Sequence, residues 1–212
     1  MIISFLNQKG GVGKSTLTTN FACLAANEQK KTILFDMDPQ RSAINFREIR
    51  PDNRKQFHAV SVLNPTLHKD ITGFNFDIAL IDSGGRDSKL FRSAIMASDI
   101  VVIPLLAGQF DIWSFEDTLD IIEEVKSIKD LKTGVVLNQV IRNTNIKNDA
   151  FQAIQEYSEN YDFRLYETVL YSRVGYSEAS ACGLSVAEME GKKFEKASAE
   201  IRSLYKEVFN GI

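Results

Sequence analysis

The chain has 212 residues, 44% of them apolar and 25% charged, which suits one globular domain whose core needs neither disulfide nor metal. Its formal net charge of -3 excludes a strong, diffuse attraction to nucleic acid, so any DNA or lipid contact has to come from a local basic patch. Cys23 and Cys182 stand alone without CxxC spacing, which points to a reducing compartment; no apolar run is long enough to span a bilayer, and the first strand begins too early to leave room for a signal peptide.

The first apolar run predicts a strand over Ile2–Asn7, followed at once by Lys9-Gly10-Gly11-Val12-Gly13-Lys14-Ser15-Thr16 and a helix over Lys14–Asn27. This is a phosphate-binding loop. Its glycines let the backbone turn tightly, so that the N–H groups from Gly10 through Gly13 can point at phosphate oxygens. Lys14 can reach the outer phosphates, the Ser15 hydroxyl can ligate Mg²⁺, and the helix adds the positive end of its dipole. Ordinary loops of this type do without a lysine at Lys9. From the mouth of the loop that side chain cannot easily curl onto its own triphosphate, so it invites contact with nucleotide held by another subunit.

Thr32–Asp36 predicts the second strand, running into Asp36-Met37-Asp38-Pro39-Gln40 and a helix over Arg41–Arg50. Strand alternation puts Asp36 and Asp38 on one side, where one carboxylate can serve Mg²⁺ and the other can orient an attacking water. Arg47, Arg50, Arg54 and Lys55 form a basic cluster after this turn. A short strand over Ala59–Val62 precedes Phe76–Asp82, a Walker B strand whose terminal Asp82 can support the metal. Ser83-Gly84-Gly85 follows, and the Gly85 N–H is placed to bond the γ-phosphate. Arg86 and Asp87 are equally a solvated turn or a switch contact, ahead of a helix over Asp87–Ala97.

The run Ile100–Leu105 is apolar on both faces, which marks a buried parallel strand. Pro104 and Leu105–Asp111 end it and stand where a base could be walled, before a helix over Ile112–Lys129. Gly134–Asn138 is the next strand, and no Asn-Lys-x-Asp guanine signature occurs anywhere. Asn138 stands where an adenine-contacting amide is expected, with a strand-end turn former as the plain alternative. A helix over Ile146–Glu159, a strand over Leu165–Val169 and a final helix over Lys193–Phe209 complete the alternation. Strand and helix patterns in this order predict a doubly wound α/β domain, with a mostly parallel sheet flanked by helices. In the last helix Phe194, Ala197, Ile201, Leu204, Tyr205 and Val208 share one side, opposite Lys192, Lys196 and Lys206. Glu195, Glu200 and Glu207 flank those lysines, so a DNA contact and a plain solvated face stand level.

Together, the doubled-lysine loop, Asp-Met-Asp-Pro-Gln and Asp-Ser-Gly-Gly resemble the ParA/MinD group of deviant-Walker-A ATPases along the whole chain, most of all its small ParF-type members. The stretch Thr168–Arg173 through Gly183–Val186 is similar to the family's C-terminal loop and helix. The resemblance implies one P-loop ATPase domain over residues 1–212 that hydrolyses ATP to ADP with Mg²⁺. It further implies a homodimer that sandwiches ATP, with Lys9 reaching the partner subunit's phosphates and Lys14 acting within its own subunit. Ser15, Asp36 and Asp82 are the expected metal residues, Asp38 positions the water, and Thr16 fixes the α-phosphate. ATP-bound dimers of this family bind DNA without sequence preference in the cytoplasm, on the nucleoid. They position plasmid, chromosome or protein cargo until a ParB-like or other small adaptor stimulates hydrolysis. Arg173 matches a basic position of the ParF-like loop, whereas Gly175 stands where many relatives carry a second arginine. A MinD-like membrane switch is the alternative, against which the broad apolar face of the last helix counts.

Overall fold

The computed structural model describes residues 1–85, 88–142 and 146–210, with the side chains of 88, 109–114 and 146 outside that description. Among the described residues seven parallel strands form the sheet: β1 (Ile2–Phe5), β2 (Thr32–Met37), β3 (His58–Ser61), β4 (Ile78–Ser83), β5 (Ile100–Leu106), β6 (Lys132–Asn138) and β7 (Arg164–Leu165). Their spatial order is β3-β2-β4-β1-β5-β6-β7. Among the described residues eight helices join and cover them: α1 (Lys14–Asn27), α2 (Ser42–Glu48), α3 (Leu67–Asp70), α4 (Ser88–Ala97), α5 (Gln109–Lys126), α6 (Ile146–Tyr157), α7 (Val174–Ala181) and α8 (Glu195–Asn210).

Each central strand is apolar on both faces because helices lie on both sides. In β5, Ile100 and Val102 face one core, while Val101, Ile103 and Leu105 face the other. The first core is closed by Leu17 and Phe21 of α1 together with Ile201, Leu204 and Tyr205 of α8; the second by Phe91 of α4, Phe115 of α5 and Ile154 of α6. The Phe21 and Tyr205 rings sit 5.1 Å apart, so the apolar side of α8 is packed on the domain's own core.

Two differences from the sequence reading have local causes. The last strand, expected over Leu165–Val169, is only Arg164–Leu165, because the N–H groups of Glu167 and Thr168 donate to the Glu207 carboxylate of α8 at 2.7 and 3.0 Å. Helix α7 was expected only through the family resemblance, as a loop and helix without bounds of its own, and it runs over Val174–Ala181. Its segment is rich in small residues and buries only Ala179, so it carries little helical periodicity. The expected start of α4 at Asp87, and Arg86 before it, lie outside the described residues.

Candidate functional site

The strand order β2-β4-β1 brings three sequence-distant motifs to one end of the sheet. In register Asp82 lies beside Phe5 on one side and Asp36 on the other. The phosphate loop leaves β1 through Asn7, a buried residue that ties it to β5: its Nδ2 donates to the Pro104 carbonyl at 2.9 Å, and its Oδ1 accepts the Lys9 N–H at 2.8 Å. Gly11 and Gly13 take φ values of 77° and 93°, which glycine adopts without strain, and α1 begins directly after Gly13. Lys14 is buried, and its Nζ donates to the Lys9 carbonyl at 2.8 Å. Burial pulls the Lys14 pKa below the usual lysine value, while the charges of Asp82 and Asp38 hold part of it up.

Asp82 lies beneath this loop with no exposed surface, and neither carboxylate oxygen makes a hydrogen bond of ordinary geometry. Burial pushes its pKa up to about 7; the nearby Ser15 hydroxyl draws it down, and the Asp36 charge adds to the rise. A buried, unsatisfied carboxylate near a serine hydroxyl is a donor set suited to a hard divalent cation with oxygen ligands.

Asp36, expected among the metal residues, is otherwise employed. Its Oδ1 accepts the Asp38 N–H at 3.0 Å, and its Oδ2 accepts the Ala43 and Ile44 N–H groups, both at 3.0 Å. It caps the first turn of α2 and shapes the loop that carries Asp38. Asp38 is half-buried at the cleft wall, where its Oδ1 accepts the Gln40 N–H at 2.9 Å. Gly84 and Gly85 make that convergence possible: a Cβ on Gly84 would lie 3.3 Å from the Asp38 carboxyl carbon, and one on Gly85 would lie 2.1 Å from the Gln8 carbonyl oxygen.

The resulting cleft holds about 670 Å³, and Gly10, Gly11, Gly13, Lys14, Ser15, Thr16, Asp38 and Gly85 all line it. Lys9 sits half-buried beside it, while Val12, Asp36 and Asp82 lie beneath. Asn138, expected at an adenine, is buried against the loop: its Nδ2 donates to the Val12 carbonyl at 2.7 Å. Sequence reasoning missed its neighbour Gln139, whose Nε2 donates to the Gly11 carbonyl at 2.9 Å. An amide following a Walker-type strand end was the one signal available for it. Of the segment expected to wall the base, the Pro104 carbonyl serves Asn7, and the side chains of 109–111 lie outside the description.

The basic candidates are scattered. Lys196 and Lys206 are exposed on α8, whereas exposed Lys192 precedes the helix, which begins at Glu195. Arg173 is paired with Glu200: its Nε donates to Oε1 at 3.1 Å and to Oε2 at 2.9 Å. The cluster after Asp38 is corrected more sharply. Arg50 is buried, and its guanidinium donates to both Glu188 oxygens at 2.7 and 2.9 Å and to the Gly183 carbonyl at 3.0 Å. Arg47 donates to the Phe57 carbonyl at 2.6 Å. Arg47 and Arg54 are half-buried, which leaves Lys55 as the exposed member of the four.

Residues 3–186 match the CobQ/CobB/MinD/ParA nucleotide binding domain. Among curated relatives, "Maintenance of carboxysome distribution protein A" of Halothiobacillus neapolitanus is 25% identical over 211 residues, covering 97% of this chain and 95% of that protein. The sporulation initiation inhibitor protein Soj of Bacillus subtilis is 27% identical over 229 residues, covering 86% of this chain and 88% of its own. Among solved structures, an ATP complex of a Cyanothece McdA variant superposes with a TM-score of 0.81 at 15% identity, over 99% of this chain and 96% of that one, which shows a shared fold. With the family match spanning most of its length and the loop, Asp38 and Asp82 gathered at one cleft, the chain belongs to the CobQ/CobB/MinD/ParA family as a P-loop ATPase of the ParA/MinD group.

Proposed function

We infer that this chain is a nucleotide-driven positioning ATPase: one domain that pairs around ATP, holds DNA without sequence preference while paired, and lets go when an adaptor protein stimulates hydrolysis. The observation that carries the reading is the convergence of Lys14, Ser15, Asp38 and buried Asp82 on one cleft of triphosphate size, with Lys9 beside it. The relatives named above point the same way, since one is named for carboxysome distribution.

Each residue has a role that its surroundings support. The N–H groups of Gly10 through Gly13 take the phosphate oxygens, and Thr16 at the start of α1 takes the inner phosphate. Lys14 leaves the Lys9 carbonyl to neutralise the outer phosphates, its low-dielectric setting strengthening that contact. Ser15 and Asp82 are the residues that would hold Mg²⁺, which supplies charge neutralisation on the phosphates when bound. Asp38, anchored through Gln40 and held near the phosphates by Gly84, orients the attacking water. Gly85 reports the γ-phosphate through its N–H, and Lys9 reaches the second subunit's nucleotide. Without an adaptor, turnover is slow.

Lys196, Lys206 and Lys192 are the DNA candidates at the surface, with Arg173 available once Glu200 is displaced. Pairing doubles such a patch and makes binding steeply salt-dependent. We place the protein in the cytoplasm, on the nucleoid. No helix among the described residues is long and apolar enough to cross a membrane, and the apolar side of α8 is already buried, which disfavours the lipid-inserting alternative. Sedimentation with ATP and Mg²⁺, and gel-shift with plasmid DNA under ATP or ADP, test the reading. Dimers and DNA complexes restricted to ATP are expected. Monomers at saturating ATP would overturn the pairing, and equal DNA binding with ADP would overturn the switch.

A further inference from the structure

A loop that aims N–H groups at phosphate must do something with its carbonyls. In a planar trans peptide the C=O of one residue points opposite to the N–H of the next. The Val12 carbonyl therefore fixes the direction of the Gly13 N–H, and the Gly11 carbonyl fixes that of the Val12 N–H. The last residue of β6 and the one after it grip both carbonyls, the first buried against the loop and the second at the lining of the cleft. Asn138 donates to the Val12 oxygen at 2.7 Å, and Gln139 donates to the Gly11 oxygen at 2.9 Å.

The grip is itself braced. Asn138 is 6% exposed, and its Oδ1 accepts the Gln139 N–H at 2.9 Å. A Cβ on Gly13 would lie 2.3 Å from Asn138 Nδ2, so loop and strand end are in close contact. Gln139 holds a φ of 53°, a left-handed conformation that a long side chain adopts only when its surroundings impose it. That turn brings the second amide back toward the loop one residue after the first.

We propose that Asn138 and Gln139 are positioning residues which hold the Gly13 and Val12 N–H groups aimed at phosphate before nucleotide arrives. The inference rests on the nucleotide reading of the cleft. It differs from a base contact in one respect: a grip on the loop acts through phosphate and is indifferent to the base.

The test measures affinity for ATP, GTP and inorganic tripolyphosphate, each with Mg²⁺, for the wild-type chain, Asn138→Ala and Gln139→Gly. Gln139 is exposed, and glycine suits its backbone, so that variant removes the amide alone even where Asn138→Ala folds poorly. Freeing one carbonyl is expected to weaken all three ligands in equal proportion, about tenfold each. The loss should show in the KM for ATP more than in kcat, with the urea midpoint of Gln139→Gly unmoved. A loss confined to ATP would overturn the proposal in favour of base reading, and unchanged affinity in Gln139→Gly would overturn the grip. A wild-type chain that binds none of the three ligands would sink the nucleotide reading, and the proposal with it.

Discussion

Replacing Asp82 with asparagine should stabilise the nucleotide-free protein at alkaline pH while destroying its catalysis. Burial lifts the Asp82 carboxyl from 3.8 to about 7, and both oxygens lack a hydrogen bond. Because the folded pKa lies above the unfolded one, the fold tolerates the protonated acid and loses stability as pH rises through that interval. Roughly three pK units at about 1.4 kcal/mol each give about 4 kcal/mol of cost once the group is fully ionised. Roughly 3 kcal/mol of that cost develops between pH 5 and pH 8. The asparagine amide brings its own penalty for a buried donor, about 1–3 kcal/mol, but this is the same at both pH values and cancels from the comparison. The assay is urea unfolding of wild type and Asp82→Asn at pH 5 and pH 8, without nucleotide or Mg²⁺. The variant should gain on wild type by roughly 3 kcal/mol across that step, and thermal midpoints should diverge by about 5–10 °C. An equal stability gap at the two pH values would refute the argument that an ionised, unsupported carboxylate is stored beneath the loop.

Lys14→Ala should abolish ATP binding in calorimetry, and undiminished affinity would remove the lysine from the phosphate site. Asp38→Ala should keep ATP but stall hydrolysis, leaving a dimer that stays on DNA in gel-shift; normal turnover would strip the residue of its water-orienting role. Gly85→Ala forces a Cβ toward the Gln8 carbonyl, 2.1 Å away, so the two loops must part; ATPase activity should fall about a hundredfold with the far-ultraviolet circular dichroism intact. Arg50→Ala strands the buried Glu188 charge and should cost about 3–5 kcal/mol in urea unfolding, a cost far too large for a residue free to meet DNA. A loss below about 1 kcal/mol would contradict that burial account.

The strands and the nucleotide loop were legible because their signals are local. Ile100–Leu105 is apolar on both faces for want of solvent on either, and Lys9–Thr16 carries its chemistry in adjacent residues. The amphipathic side of α8 was equally readable, and the packing of Tyr205 on Phe21 explains its breadth. What escaped notice depends on partners far apart in sequence. Nothing near Asp36 announces that the first turn of α2 will occupy both its oxygens, and nothing near Arg50 announces Glu188, 138 residues on. The same holds for Asn138 and Gln139, whose partners lie at Val12 and Gly11. Charge patterning read Arg50 as surface because arginine is usually there; only the fold reveals a pocket of acceptors built for it.

The Lys14 ammonium donates to the Lys9 carbonyl at 2.8 Å, so the strongest cation of the loop has an acceptor within the loop's own backbone. An anion that engages the lysine has to compete with that oxygen, and a triphosphate does so with several charged oxygens at once.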